Sequence, residues 1–162
     1  MTPLHGIRVL DLTGYLMGPF ATQILGDMGA DVIKVEPVEG DLVRAIGPTR
    51  SPGMGGIFQQ NNRNKRSIVL DLKQAAGRDA VLRLAENADI FIYNVRPAAM
   101  ARLGLSYEAV SAANPAIVYV GAVGFGQDGP YAAKPALDDL MQGMSGIPSL
   151  FERAGAEEPR YI

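Results

Sequence analysis

The chain has 162 residues, 48% of them hydrophobic and 20% charged, which fits a globular domain able to bury a core and excludes a disordered or fibrous chain. Fifteen Lys and Arg against seventeen Asp and Glu give a net charge of −2, so the dense basic face of a general nucleic-acid binder is missing. With no cysteine and one histidine, His5, there is no material for a disulfide scaffold, a Cys nucleophile or a His-rich metal or triad site, and no metal is expected.

The first forty residues read as strand, helix, strand. Ile7 to Leu12 is a short β-favouring run, broken by Gly14 and by Gly18-Pro19, where Pro19 suits a first helical turn. Phe20, Ile24 and Met28 recur at the spacing of an amphipathic helix, with Gly29 as the stop. Asp31 to Val35 is a second strand, apolar at its centre except for Lys34. Val38 to Arg66 reads as a long Gly/Pro loop. Ser67 to Leu72 is then a third strand, followed by a helix marked by Ala76, Ala80, Val81 and Leu84. Asp89 to Tyr93 is the fourth strand. Ser106 can cap a short helix that ends near Asn114-Pro115, and Ala116 to Val123 is the fifth strand.

Alternation of this kind predicts an α/β fold with an open, doubly wound, mostly parallel sheet. After a second Gly/Pro loop, Gly124 to Pro135, the residues Leu137, Leu140, Met141 and Met144 suggest one more helix. Ile147 to Ile162 offers no clear strand and no closing element, so the fold is expected to be incomplete at its carboxyl end. No apolar run reaches membrane length, and the first residues lack a charged segment followed by an apolar one. The expectation is a cytoplasmic domain that partners neither membrane nor nucleic acid.

Known nucleotide fingerprints are absent: Gly14 and Gly18 break the G-x-G-x-x-G spacing, and no P-loop occurs. Arg63, Lys65, Arg66 and Lys73 cluster around the third strand, and they could hold phosphates or form a solvated edge. Asn94, Arg96 and Arg102 follow the fourth strand, at the end of a parallel sheet where ligands bind; helix capping and a plain surface are the alternatives. Asp138 and Asp139 open the last helix, where a carboxylate complements the helix amino terminus. His5, ahead of the first strand, is read as bland, and Met17, Met28, Met141 and Met144 as core filler.

Several blocks together resemble the family III CoA-transferases, the CaiB/BaiF family. They are LHGIRVLDLTGYLMGPFATQILGDMGADVIKVEP, NRNKRSIVLDLK, DIFIYNVRPAAMARLGLSYEAVSAANPAIVYVGAVGFGQDGPYAAKP and DDLMQGMSG, in the family's order. The resemblance implies the Rossmann-like large domain of an enzyme that moves coenzyme A between an acyl-CoA thioester and a carboxylic acid, working as an interlocked homodimer. It places CoA contacts at Tyr15 and Leu16, at Leu70, Asp71, Leu72 and Lys73, and at Asn94, Val95, Arg96 and Arg102. Pro37 stands where some members carry a basic residue, and Asp138 matches an acidic position near the reaction centre.

The family's nucleophile is an aspartate, which attacks the thioester to form a mixed anhydride and then an enzyme-bound thioester. In members it follows a segment like Pro159 to Ile162, so here it is expected just beyond Ile162. The chain accordingly resembles the amino-terminal part of the CoA-binding domain (residues 1–162), without the small domain or the returning carboxyl-terminal segment. Alone it is expected to be inactive. Two other readings stand beside this one: a non-catalytic CoA-binding or dimerisation module, and a generic doubly wound domain for another nucleotide. The related acyl-CoA racemases use a histidine base where Leu137 stands, and leucine cannot take a proton.

Overall fold

The computed structural model describes residues 2–162 and divides into two compact units, one running to Ala122 and the other Val123–Ile162. In the first unit β1 (Arg8–Leu12), β2 (Asp31–Glu36), β3 (Lys65–Val69), β4 (Ile90–Tyr93) and β5 (Val118–Gly121) form one all-parallel sheet in the order β3-β2-β1-β4-β5. The helices α1 (Met17–Asp27), α2 (Gly56–Asn61), α3 (Ala75–Ala85), α4 (Pro97–Arg102) and α5 (Tyr107–Ala113) lie along the connections. Side chains of successive strand residues point to opposite faces. Val9, Val32 and Ile92 therefore pack with Leu25 of α1, whereas Leu10, Leu12, Val35, Phe91 and Tyr93 pack with Val81, Met100 and Val110 of α3, α4 and α5. Covered faces on both sides account for the apolar runs of β1 and β4 and make the sheet doubly wound.

Four expectations change. The stripe Phe20, Ile24 and Met28 faces outward, and α1 presents Gly18, Pro19, Thr22, Gln23 and Gly26 to the sheet. The reason is close approach. A β-carbon at Gly18 would run into the Thr13 side chain, and one at Gly26 would meet the Asn64 carbonyl oxygen at 3.1 Å. Met17 and Met28 are exposed with that stripe and are not core filler; Met100 is the buried methionine of the main core.

β3 lies earlier than Ser67 to Leu72, because its pairing with β2 runs from Val32 opposite Lys65 to Glu36 opposite Val69. Leu70, Asp71 and Leu72 form the turn into α3, with the two leucines packed on the core cluster. The long loop holds a 3-10 turn at Leu42–Ala45 and helix α2, and α4 was not foreseen at all. Fourth, the tail holds one helix beyond the one expected around Leu137 to Met144. In the second unit α6 (Asp138–Ser145) and α7 (Ile147–Arg153) are joined through Gly146, whose φ of 78° lies in the left-handed region that glycine tolerates. Met144 on α6 is exposed, again contrary to a core role.

Candidate functional site

In a parallel sheet every strand delivers its following turn to the same edge, and the order β3-β2-β1-β4-β5 places the change of winding direction between β1 and β4. The turn after β1, Thr13 to Leu16, and the segment after β4, Asn94 to Arg96, therefore border one another. The Asn94 side chain joins them: its Oδ1 accepts from the Gly14 N–H at 3.0 Å and its Nδ2 donates to the Gly14 carbonyl at 2.8 Å. Tyr15 adopts φ 66°, a left-handed conformation that non-glycine residues avoid, and its side chain and that of Leu16 are each 57% exposed.

Leu70 to Lys73 follow β3, two strand spacings or about 10 Å from the end of β1. Their turn is built by Asp71, whose Oδ1 accepts from the Lys73 N–H at 3.0 Å and whose carbonyl accepts from Gln74 N–H at 3.1 Å. Gly77 sits so close that any β-carbon there would strike the Asp71 carbonyl. Pro37, after β2, lies exposed between these two turns. Arg96 is the residue before α4 and Arg102 is its last; Lys73, Arg96 and Arg102 are all exposed at this edge or along the helix that leaves it.

The cation cluster around β3 splits. Lys73 stands at the carboxyl edge, whereas Lys65 and Arg66 stand at the start of the strand. Arg63 pairs with Asp27 at 2.6 Å and Arg66 with Asp31 at 2.6 Å. Lys65 turns inward to Asp11 at 3.1 Å, with both side chains almost wholly buried, so it is neither a phosphate ligand nor a solvated edge.

Beneath the β1 turn lies a layer of buried charge. Lys34 Nζ donates to the Thr13 carbonyl at 2.7 Å and pairs with Asp41 at 2.8 Å. Asp41 Oδ1 accepts from the N–H groups of Tyr15 and Val43. Glu36 holds Arg44 through two 2.6 Å bonds and accepts from the Asp41 N–H and the Ser67 hydroxyl. Burial opposes ionisation of Glu36, but these donors outweigh it and bring its carboxyl down to about 2. Burial likewise pushes the Lys65 ammonium below the usual lysine value, with Asp11 opposing the shift. Lys34 and Asp41, with Glu36 and Arg44 behind them, support the β1 turn, and the local sequence pattern did not single them out as a group. The one available signal was a lysine inside a strand covered on both faces, which must find a buried partner.

Asp138 belongs to the second unit. It is exposed in the first turn of α6, and its Oδ2 accepts from Gln142 Nε2 at 2.7 Å. The same Gln142 amide grips the backbone of Ile162, accepting from its N–H at 2.7 Å and donating to its carbonyl at 3.2 Å. His5 lies exposed in the turn ahead of β1. Among the described residues no group of three or more His, Cys, Asp or Glu could hold a metal ion, and no helix is long and apolar enough to cross a membrane.

The geometry matches known proteins closely. A structure of a CaiB/BaiF family protein from Brucella suis superposes with a TM-score of 0.89 at 40% identity, over 99% of this chain and 43% of that one. A succinate–glutarate CoA-transferase of Agrobacterium fabrum is 46% identical over 155 residues, 91% of this chain and 39% of the relative. An acetyl-CoA:oxalate CoA-transferase of Acetobacter aceti is 45% identical, over 90% of this chain and 37% of the relative. The chain thus spans well under half the length of the relatives it matches. The family model for CoA-transferase family III matches residues 4–161, almost every residue of the sheet, the turns and the last two helices, and the chain belongs to that family.

Proposed function

We propose that this chain is the amino-terminal, CoA-binding part of an enzyme that moves coenzyme A between an acyl-CoA thioester and a carboxylic acid, and that the working unit is a homodimer. What supports the reading is the family match together with Lys73, Arg96 and Arg102, three exposed cations that follow the carboxyl ends of β3 and β4. Such groups suit the 3′-phosphate and pyrophosphate of CoA, with arginine offering a fork and lysine a point charge. Tyr15, Leu16, Leu70, Asp71, Leu72, Asn94 and Val95 supply the apolar and backbone contacts around them.

In the reaction an aspartate carboxylate attacks the thioester carbonyl and expels the CoA thiolate, leaving a mixed anhydride. The thiolate attacks the aspartyl carbonyl, releases the acyl group as its carboxylate and forms an enzyme thioester; the acceptor acid then reverses both steps. On this reading the nucleophile lies in the stretch of the longer relatives that follows the part matched here, and Asp138 is a supporting acid. The acid is assigned as a class, since relatives of nearly equal identity carry succinate, glutarate or oxalate in their names. A racemase role is disfavoured by Leu137, which offers no base beside Asp138.

Calorimetric titration of the purified 162-residue chain tests the reading. CoA should bind while ATP and NAD do not, Arg102→Ala should weaken CoA about tenfold, and the chain alone should show no CoA exchange. Equal affinity for all three nucleotides would overturn the assignment, and unchanged affinity in the variant would remove the phosphate from Arg102.

A further inference from the structure

From the Thr13 N–H to the Tyr15 N–H, five consecutive backbone polar groups are each held by a side chain. Asp11 Oδ1 accepts from the Thr13 N–H at 2.9 Å, and Lys34 Nζ donates to the Thr13 carbonyl at 2.7 Å. Asn94 takes both ends of Gly14, at 3.0 and 2.8 Å, and Asp41 Oδ1 accepts from the Tyr15 N–H at 3.4 Å. The four side chains come from β1, β2, the loop after β2 and the residue after β4, and Asp11, Lys34 and Asp41 are buried. A turn left to itself would satisfy these groups with water and would not keep a tyrosine at positive φ. The conformation is imposed from outside, and its product is a pair of half-exposed side chains, Tyr15 and Leu16, at the edge where ligands of such sheets bind.

Asn94 is the decisive member. Its amide lies flat against one residue, so that two of its four hydrogen-bonding positions are committed to Gly14, 80 residues away in sequence. We propose that Asn94 is a positioning residue: with Lys34 it locks the Thr13–Tyr15 turn so that Tyr15 and Leu16 are presented to CoA, and its side chain acts through that backbone instead of on the ligand. The proposal rests on the CoA-binding reading above.

The experiment pairs amide hydrogen exchange of the free 162-residue chain with titration of CoA and of dephospho-CoA, which lacks the 3′-phosphate. In Asn94→Ala the Gly14 amide should exchange at least about tenfold faster, and CoA and dephospho-CoA should weaken by the same factor, about tenfold. Arg102→Ala, in contrast, should leave Gly14 exchange at the parent rate. Asn94→Asp keeps the acceptor for the Gly14 N–H but turns a carboxylate toward the Gly14 carbonyl, and it should move both readouts in the same direction. Gly14 exchange at the parent rate in both Asn94 variants overturns the lock. Faster exchange with unchanged CoA affinity overturns the presentation of Tyr15 and Leu16, and a loss confined to CoA would mean that Asn94 touches the 3′-phosphate. If the parent chain binds neither ligand while Asn94→Ala still frees the Gly14 amide, the CoA reading has failed and the lock stands.

Discussion

Asp11 and Lys65 are 54 residues apart in sequence, yet their side chains meet with almost no exposure to water. A buried pair of this kind contributes little net stability when intact but is costly to break, because the survivor is left charged and desolvated. Lys65→Met should lower the unfolding free energy by about 3–5 kcal/mol in urea denaturation. Adding Asp11→Asn removes the orphaned charge and keeps one oxygen to accept from Thr13, while the Thr22 hydroxyl can donate to the Gly18 or Pro19 carbonyl and accept from the new amide, so the double variant should recover much of the loss. Glu36 gives a pH dependence of known sign. Its folded value of about 2 lies below the ordinary 4.5, so its stabilisation is full above about pH 4.5 and drains away as pH falls toward 2. The loss should approach about 3 kcal/mol, and Glu36→Gln should flatten that part of the stability profile. Of this layer only Lys34 left a mark in the sequence, as the single charge at the centre of an apolar strand. Which acids would meet Lys34 and Lys65 depends on strand order, which local pattern does not encode.

α1 shows how a local rule can point the wrong way. Three apolar residues at helical spacing ordinarily mark the buried face. Here the face against the sheet carries two glycines, because the helix approaches too closely for larger groups, and the apolar stripe is left outside. The two readings predict opposite mutational profiles. Gly18→Ala should cost about 1–3 kcal/mol by driving a β-carbon into Thr13, whereas Phe20→Ser should change the thermal midpoint by no more than a few degrees. Large destabilisation by the second variant alone would restore the stripe to the core. The shift of β3 has a similar origin. Leu70 and Leu72 continue the period-two pattern of the strand, but pairing with β2 stops at Val69 and the leucines enter the core from a turn. That turn is pinned where Gly77 presses on the Asp71 carbonyl, so Gly77→Ala should weaken CoA binding together with stability, read as loss of both in titration and melting.

Over the whole chain the charges nearly cancel, and a set of large apolar side chains is exposed. Leu16, Met17, Phe20, Ile24 and Met28 line one exposed stretch around α1, at 57, 67, 50, 43 and 39% exposure. A contiguous exposed apolar stripe is the kind of surface through which chains associate. The 162-residue chain should therefore run larger than a monomer in light scattering at tens of micromolar, and Phe20→Lys with Ile24→Lys should return it to a monomer. A monomeric parent chain at that concentration would remove the stripe from the homodimer we propose. Because the variants lie on the outward face of α1, their folded baseline and thermal midpoint should stay close to those of the parent.

The sequence by itself determined the fold class, the approximate places of β1, β2, β4 and β5, the short helix before Asn114 and the family resemblance. The elements rest on runs of a few residues, where apolar period, β-branching and Gly or Pro breaks act over one or two turns of chain; the resemblance rests instead on long blocks taken together in their order. It also placed Tyr15, Lys73, Asn94 and Arg96 after strands, and an all-parallel sheet then carries them to one edge. Only the tertiary structure decided the order β3-β2-β1-β4-β5, the inward face of α1, and the contacts Asn94 to Gly14 and Lys65 to Asp11. These join residues more than 50 apart, and their geometry is set by which strands lie side by side and how closely a helix can approach them. Local sequence carries no record of either.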